Sequence, residues 1–370
     1  MKKQRKRRVL IVIPSLQGGG EERGALHLVN TLDRARFEPI LALGDVSGPY
    51  LKDVRSDVVI HHLGGEHARS VVPQIVSAVW KHRPHTVFSL LGFNFAVTLA
   101  RGLFPSGTRV VIRQGNTTTA YLDEVKLTSP RRAAFYNQAF RKLYRRADRV
   151  ICQCDYMLHD LADNYALPRR KLKSIYNSVD FNHIEKLTRG DQSPYKTAGP
   201  NIVTVGNMLY AKGYDLLLPA FRQVRDANPT ATLTFVGQGD NRPKLEALTR
   251  ELKLEDAVHF AGFQDNPFTW LKHADLFVSS SRYEGFAFVI LEALGCGTPV
   301  VATDCPSGNR EVIDEEVNGW LARVGDVDSL AQTLNRALGK IETMDRGAIA
   351  ARCRERFSHE RIAREYERQF

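Results

Sequence analysis

The chain lacks an apolar run approaching the roughly 20 residues that a membrane-spanning helix requires, so no transmembrane segment is expected. It also lacks a signal-peptide cleavage site. The opening apolar stretch VLIVIPSL is short and runs straight into QGGGEER, which reads as a first buried strand and leaves the protein in the compartment where it is made. Cysteine is scarce and odd in number, five in all, which argues against a disulfide framework and fits a reduced cytosol. Cys152 and Cys154 in VICQCD have no matching pair or histidine cluster to complete a metal site and read as buried thiols. There is no zinc pattern, no aromatic-basic strand motif and no obvious recognition helix, and these absences speak against nucleic-acid binding.

What is present suits a globular protein. Hydrophobic residues make up 43% and charged residues 25%, which excludes disorder for the bulk, and 370 residues suffice for two domains with separate cores. The net charge is +11, and the opening KKQRKRR supplies over half of it. Residues 1–8 therefore read as an unfolded basic tail. A solubilising arm is the first reading, a contact with anionic lipid the second and nucleic acid the third.

Short Val-, Ile- and Leu-rich runs alternate with helical patterns throughout: VLIVIPSL, PILALG, HTVFSLL, RVVIRQ and RVICQC, then NIVTVG, ATLTFVGQG, AVHFAG, DLFVSSS and PVVATD. Such runs indicate parallel strands buried on both faces, so the class is α/β, twice over. The polar, Gly- and Pro-containing LTRGDQSPYKTAGP places a linker at residues 187–200, between a domain at 9–186 and another at 201–350. Residues 351–370 read as a charged C-terminal helix with the option of crossing back to the first domain. Two such sheets imply ligands at the carboxyl ends of their strands, in a cleft between the domains.

The stretch SRYEGFAFVILEALGCGTPVVATD, Ser281 to Asp304, places Glu284 and Glu292 around the start of a short helix. Free amides near Phe286 to Phe288 and the helix dipole favour phosphate. Glu292 lies about 9 Å along the axis from the first turn, so the two acids can flank an anion and accept hydrogen bonds from hydroxyls on either side. A nucleotide sugar has that order: sugar, diphosphate, ribose. The plainer alternative is that Glu284 caps the helix and Glu292 faces solvent.

The region Ser279 to Asn318 resembles the donor-site signature of family 4 retaining glycosyltransferases, which have the two-domain GT-B fold with Rossmann-like sheets facing across a cleft. The matching residues are Glu284, Gly285, Phe286, Glu292, Ala293, Gly295, Gly297, Pro299, Val300 and Val301, followed by CPSGNREVI and NGW. Weaker likeness extends through GGGEERGALHLVNTLD, RRADRVICQC, KLKSIYNSVDF, VGNMLYAKGYDLLL and FVGQGD. The resemblance implies that Glu292 binds the donor ribose, that Glu284 contacts the transferred sugar, and that amides at Gly285, Phe286, Ala287 and Phe288 hold the diphosphate. Lys212 in AKGYD matches the family's diphosphate lysine and joins Glu284 as a catalytic candidate. Where the family often has an arginine this chain has Asn207, and Arg282 or Arg310 are candidate substitutes.

QGGGEE, Gly18 to Glu22, resembles the family's glycine loop and adds Gly19 and Gly20 to the donor set; a plain strand-to-helix turn would look similar. Phe263 in GFQDNP either lines a base pocket or fills core. RQGNTTTAYLD is the acceptor loop, with Arg113 and Asn116 as its candidates. Gly115 stands near where some relatives have a histidine, so no histidine base is expected. Arg141, Arg145 and Arg149 suggest a basic amphipathic helix, either solvated or docked on anionic lipid.

The implied reaction is retaining transfer of a hexose or N-acetylhexosamine from a nucleotide sugar, expected to be a UDP-sugar, to a saccharide or lipid-linked acceptor in bacterial surface glycan synthesis. The donor is a co-substrate. No cofactor and no metal are expected, in keeping with the absence of an Asp-x-Asp motif at the donor segment. The location implied is cytoplasmic, with peripheral contact to the inner face of the cytoplasmic membrane as an option. An epimerase of the same fold and a catalytically silent sugar-nucleotide scaffold are the rival readings.

Overall fold

The computed structural model describes residues 6–370 apart from 18, 66, 68 and 69. The described chain forms two compact units: residues up to Ser178 together with His359–Phe370, and Val179–Ser358.

In the first unit the strands are β1 (Arg7–Ile13), β2 (Phe37–Leu43), β3 (Val59–His62), β4 (Thr86–Ser89), β5 (Arg109–Arg113), β6 (Arg149–Cys152) and β7 (Leu172–Ser174). They pair in the order β3-β2-β1-β4-β5-β6-β7, and every pairing is parallel. Val9 to Ile13 of the central β1 have no solvent exposure, as a strand covered on both faces requires. Arg7 and Arg8, placed in the basic tail by composition, are the first residues of β1, in register with Phe37 and Glu38. Their neighbours make the difference: Arg8 pairs with Glu38 at 3.5 Å and donates to the His82 carbonyl at 2.8 Å. Residues 1–5 of that tail lie outside the described residues.

The C-terminal helix His359–Glu367 belongs to this first unit. Ile362, Tyr366 and the following Phe370 enter the core formed by Val9, Ile11, Leu28, Val29 and Phe88. Glu367 accepts from the Asp33 amide at 2.8 Å and pairs with Arg36 at 3.0 Å.

The second unit holds β8 (Asn201–Val205), β9 (Thr232–Val236), β10 (Val258–Gly262), β11 (Leu276–Ser279), β12 (Val300–Thr303) and β13 (Gly319–Ala322). Their order is β10-β9-β8-β11-β12-β13, again parallel throughout. The core gathers Leu217, Phe221, Phe235, Leu276, Val301, Trp320 and Leu334. The chain passes into this unit at Ser178/Val179, ahead of the 187–200 segment read as a linker, and leaves it at Ser358/His359. The helix Phe181–Leu187 is part of it because Phe181 and Ile184 pack closely over Gly295, where an added Cβ would lie 3.2 Å from the Phe181 ring.

Candidate active site

The second unit's candidate residues cluster where β8 and its neighbour β11 end. After β8 the chain turns through Gly206 (φ 151°) and Gly213 (φ 63°), conformations that favour glycine. At Gly213 a side chain is also excluded by space, since its Cβ would lie 2.2 Å from the Ser280 carbonyl oxygen. That close approach ties the Lys212 loop to the segment following β11. The Ser280 hydroxyl donates to the Lys212 carbonyl at 2.8 Å, and the Arg282 amide donates to the Ala211 carbonyl at 2.7 Å.

Lys212 ends a short 3-10 turn, Tyr210–Lys212, and its Nζ donates to Oε1 of Glu284 at 2.5 Å. Ser281 donates to the same oxygen at 2.8 Å. Both charged side chains are mostly covered, 22% and 14% exposed. Burial opposes the charge on Lys212, but the Glu284 carboxylate, the Tyr214 hydroxyl and the hydrogen bond outweigh it and hold the ammonium above the ordinary lysine range. The structure therefore brings Lys212 and Glu284 together as a direct ion pair. A phosphate entering here would share an ammonium already held by a carboxylate.

The helix following Glu284 is Phe288–Gly295, with Ala287 as its N-cap and no side-chain cap. Glu284 is thus not the cap, and the helix begins three residues after Gly285. Its leading amides have no acceptor within the helix, as in any helix. Gly285, Phe286 and Ala287 are buried, and Phe286 stacks at a tilt on Phe357 with ring centroids 6.0 Å apart. Glu292 is also buried, in the helix's fifth position, so the solvent-facing alternative does not hold for it. It neighbours the Cys296 thiol, which burial first and the Glu292 charge second push up to about 12.

Other candidates fall differently. Asn207 is exposed. Arg282, a candidate substitute for the missing cation, forms a two-pronged pair with Asp215, both bonds 2.7 Å, and lies over the Tyr210 ring. Arg310 pairs with Asp304. Each guanidinium already has its carboxylate, as Lys212 has. Phe263 is exposed rather than core.

In the first unit, Gly19 is the N-cap of the helix Gly20–Thr31; its amide donates to Glu22 at 2.7 Å, and Ser15 donates to the other Glu22 oxygen at 2.8 Å. Gly18 lies outside the described residues. Arg113 ends β5 and is buried, whereas Asn116 is exposed. Three residues that motif reading passed over, Glu21, Gln153 and Asn177, surround that arginine. Gln153 donates to Glu21 Oε1 at 2.8 Å and accepts from Asn177 at 3.0 Å; Asn177 in turn accepts from Arg113. Their separation in sequence hides the cluster, and only the run of polar residues directly after strands β5 and β6 hinted at it.

The three arginines read as one basic amphipathic helix, solvated or docked on lipid, do not share a helix. The helix ends at Leu143, and Arg149 already lies in β6. Arg141, Arg145 and Arg149 donate to the carbonyls of Asn164, Ala166 and Arg170, at 2.6, 3.0 and 2.7 Å. They tie down the end of the helix Asp155–Tyr165 and the turn after it, where a cation is favoured.

Two family models match the chain: Glycosyltransferase Family 4 over residues 18–183 and Glycosyl transferases group 1 over residues 199–340. The chain belongs to the family 4, group 1 glycosyltransferases. It is 32% identical over 187 residues to an uncharacterized glycosyltransferase of Methanocaldococcus jannaschii, covering 49% of this chain and 45% of that protein. It is 29% identical over 246 residues to the N-acetylgalactosamine-N,N'-diacetylbacillosaminyl-diphospho-undecaprenol 4-alpha-N-acetylgalactosaminyltransferase of Campylobacter jejuni, covering 66% of this chain and 64% of that enzyme. The match thus spans about half to two thirds of these relatives. Among solved structures, the Anabaena protein HepE in complex with UDP superposes with a TM-score of 0.77 at 20% identity, covering 98% of this chain and 99% of that one. The two parallel-sheet units are those of the GT-B fold. No helix of the described residues is long and apolar enough to cross a membrane.

Proposed function

We propose that this glycosyltransferase moves a hexose or N-acetylhexosamine, with retention of configuration, from a UDP-sugar to a saccharide or lipid-linked acceptor in the assembly of bacterial surface glycans. One observation carries the reading: the Lys212–Glu284 pair, held at 2.5 Å beside the start of the helix Phe288–Gly295. The UDP bound by the Anabaena protein and the diphospho-undecaprenol in the name of the Campylobacter enzyme support the choice of donor and acceptor.

In this reading the donor diphosphate lies over the helix's leading amides and Lys212. Glu284 holds a hydroxyl of the transferred sugar, and Glu292 reaches the ribose. As the glycosidic bond to the diphosphate breaks, negative charge builds on the leaving oxygen. A fixed ammonium and fixed amides stabilise that charge without reorganising, the effect that dominates much of enzymic acyl and phosphoryl chemistry. The departing phosphate takes the acceptor's proton on the same face, so the chemistry is assigned to these groups and not to a metal. Phe263 offers an exposed ring for the base.

A binding-only protein remains the second reading, because Asn207 is neutral and both candidate replacement cations are paired with acids. For membrane contact, the helices Thr118–Thr128 and Pro130–Leu143 replace the arginine stripe as the docking element: Leu127 and Phe135 are 75% and 70% exposed, near the exposed Lys126, Arg131 and Arg132.

The test is a thermal-shift panel of UDP-, GDP- and ADP-sugars on the wild type, Lys212→Ala and Glu292→Ala. A ligand at a hundred times its dissociation constant stabilises by about 2.7 kcal/mol. One nucleotide class shifting only the wild type supports the donor site, whereas equal shifts in all three proteins remove it.

A further inference from the structure

We infer that Glu21 is the acceptor-reading group of the first unit and that it takes a neutral sugar hydroxyl, with Arg113 acting behind it as a positioning residue. This rests on the transferase reading and names its acceptor contact. Glu21 sits in the first turn of the helix Gly20–Thr31, at the carboxyl end of the sheet where ligands of parallel sheets bind. Its carboxylate is built into place. Gln153, fully enclosed, spends its side-chain NH2 on Glu21 Oε1 at 2.8 Å and on the carbonyls of Gln114 and Gly115 at 3.0 and 2.9 Å. Gln153 is fixed in turn by Asn177, and Asn177 by Arg113.

Gly115 supplies a second, independent constraint. A Cβ there would lie 2.2 Å from Glu21 Oε1, so the carboxylate occupies the volume that any other residue at 115 would claim. The third is Arg113. Its side chain is 4% exposed, and its Nη1 lies 4.0 Å from Glu21 Oε1. Nε and Nη1 are buried with no hydrogen bond of good geometry among the described residues, and the buried Tyr366 hydroxyl also lies against the guanidinium. In this inference Arg113, read from sequence as an acceptor contact, lies behind Glu21, and its charge acts through Glu21, which is 22% exposed.

The chemistry selects the ligand. A carboxylate in front repels phosphate and accepts from hydroxyls, and the buried guanidinium behind it compensates its charge, so the pair suits an uncharged glycosyl group. No covalent step is assigned to Glu21.

The experiment is saturation-transfer NMR on the full chain with methyl glycosides of glucose, galactose, N-acetylglucosamine and N-acetylgalactosamine, each at about 10 mM, with inorganic phosphate as competitor. The expected result is a signal from at least one glycoside, undiminished by phosphate and weakened about tenfold or more in Glu21→Gln. Gly115→Ala, which displaces the carboxylate by volume alone, gives the same loss and serves if Glu21→Gln does not fold. Lys212→Ala keeps the signal while losing its UDP thermal shift, which separates this site from the donor site. Three outcomes overturn the inference: no glycoside signal with the wild type, a full signal in both Glu21→Gln and Gly115→Ala, or displacement by phosphate. If the glycoside pattern holds and UDP fails to bind the wild type, the donor reading falls and the Glu21 site stands.

Discussion

Replacing Lys212 by methionine while leaving Glu284 in place takes the ammonium from a carboxylate that is 14% exposed, while Ser281 still donates to Oε1. Breaking a buried pair from one side costs about 3–5 kcal/mol, and leaving a polar group unsatisfied costs about 1–3. Here the exposure of Lys212 and the surviving serine bond put the expected loss near the lower figure, about 2 kcal/mol. For a unit of this size that lowers the melting temperature by about 4–8 °C. Glu284→Gln strands the ammonium instead and costs a similar amount. The double variant Lys212→Met/Glu284→Gln removes both charges, so its loss is smaller than the sum, with a coupling of about 1–2 kcal/mol. The assay is thermal and urea unfolding of the four proteins followed by intrinsic fluorescence. Strictly additive losses, to within about 0.5 kcal/mol, would refute the direct pair. The pH dependence has a defined sign. Lys212 is held above its usual 10.5, so the pair's contribution is intact at neutral pH and is lost only as pH rises through the raised value. Stability attributable to the pair is therefore equal at about pH 7 and about pH 9.

Three further outcomes are expected. Native protein resists thiol reagents at about pH 8.5, because burial raises Cys305 to about 11 and Cys296 and Cys353 to about 12; rapid labelling of any of these would contradict their environment. Ending the chain after Ser358 removes Ile362, Tyr366 and Phe370 from the first core, a loss upward of about 5 kcal/mol, and limited proteolysis then degrades the first unit while the second persists. Leu127→Ser/Phe135→Ser reduces sedimentation with anionic vesicles, whereas Arg145→Ala leaves it unchanged; the opposite ranking would restore the arginine stripe.

The interior strands were legible because they are continuous apolar runs, and every run named as a strand contains one. The three strands that escaped, β3, β7 and β13, are all sheet edges. An edge strand needs only one partner and one covered face, so VIHH, with Val59 and Ile60 exposed, carries no unbroken apolar signal. The C-terminal helix looked merely charged because its apolar stripe is spaced at Ile362, Tyr366 and Phe370 among arginines and glutamates. At the site, Lys212 and Glu284 were legible as motif residues, but their direct contact was not. Neither was the pairing of Arg282 with Asp215, 67 residues apart, since charge complementarity at that distance has no local mark. Glu21 was hidden for the same reason, its partners being brought together only by the ends of three strands.

The central claim is that the Lys212–Glu284 corner receives a nucleotide diphosphate. Isothermal titration of UDP into the wild type and Lys212→Met, in buffer containing EDTA, tests it most directly. The account predicts metal-independent binding by the wild type that is weakened about tenfold or more in the variant, the worth of one charge-assisted contact to phosphate. Equal affinity in the two proteins would contradict it.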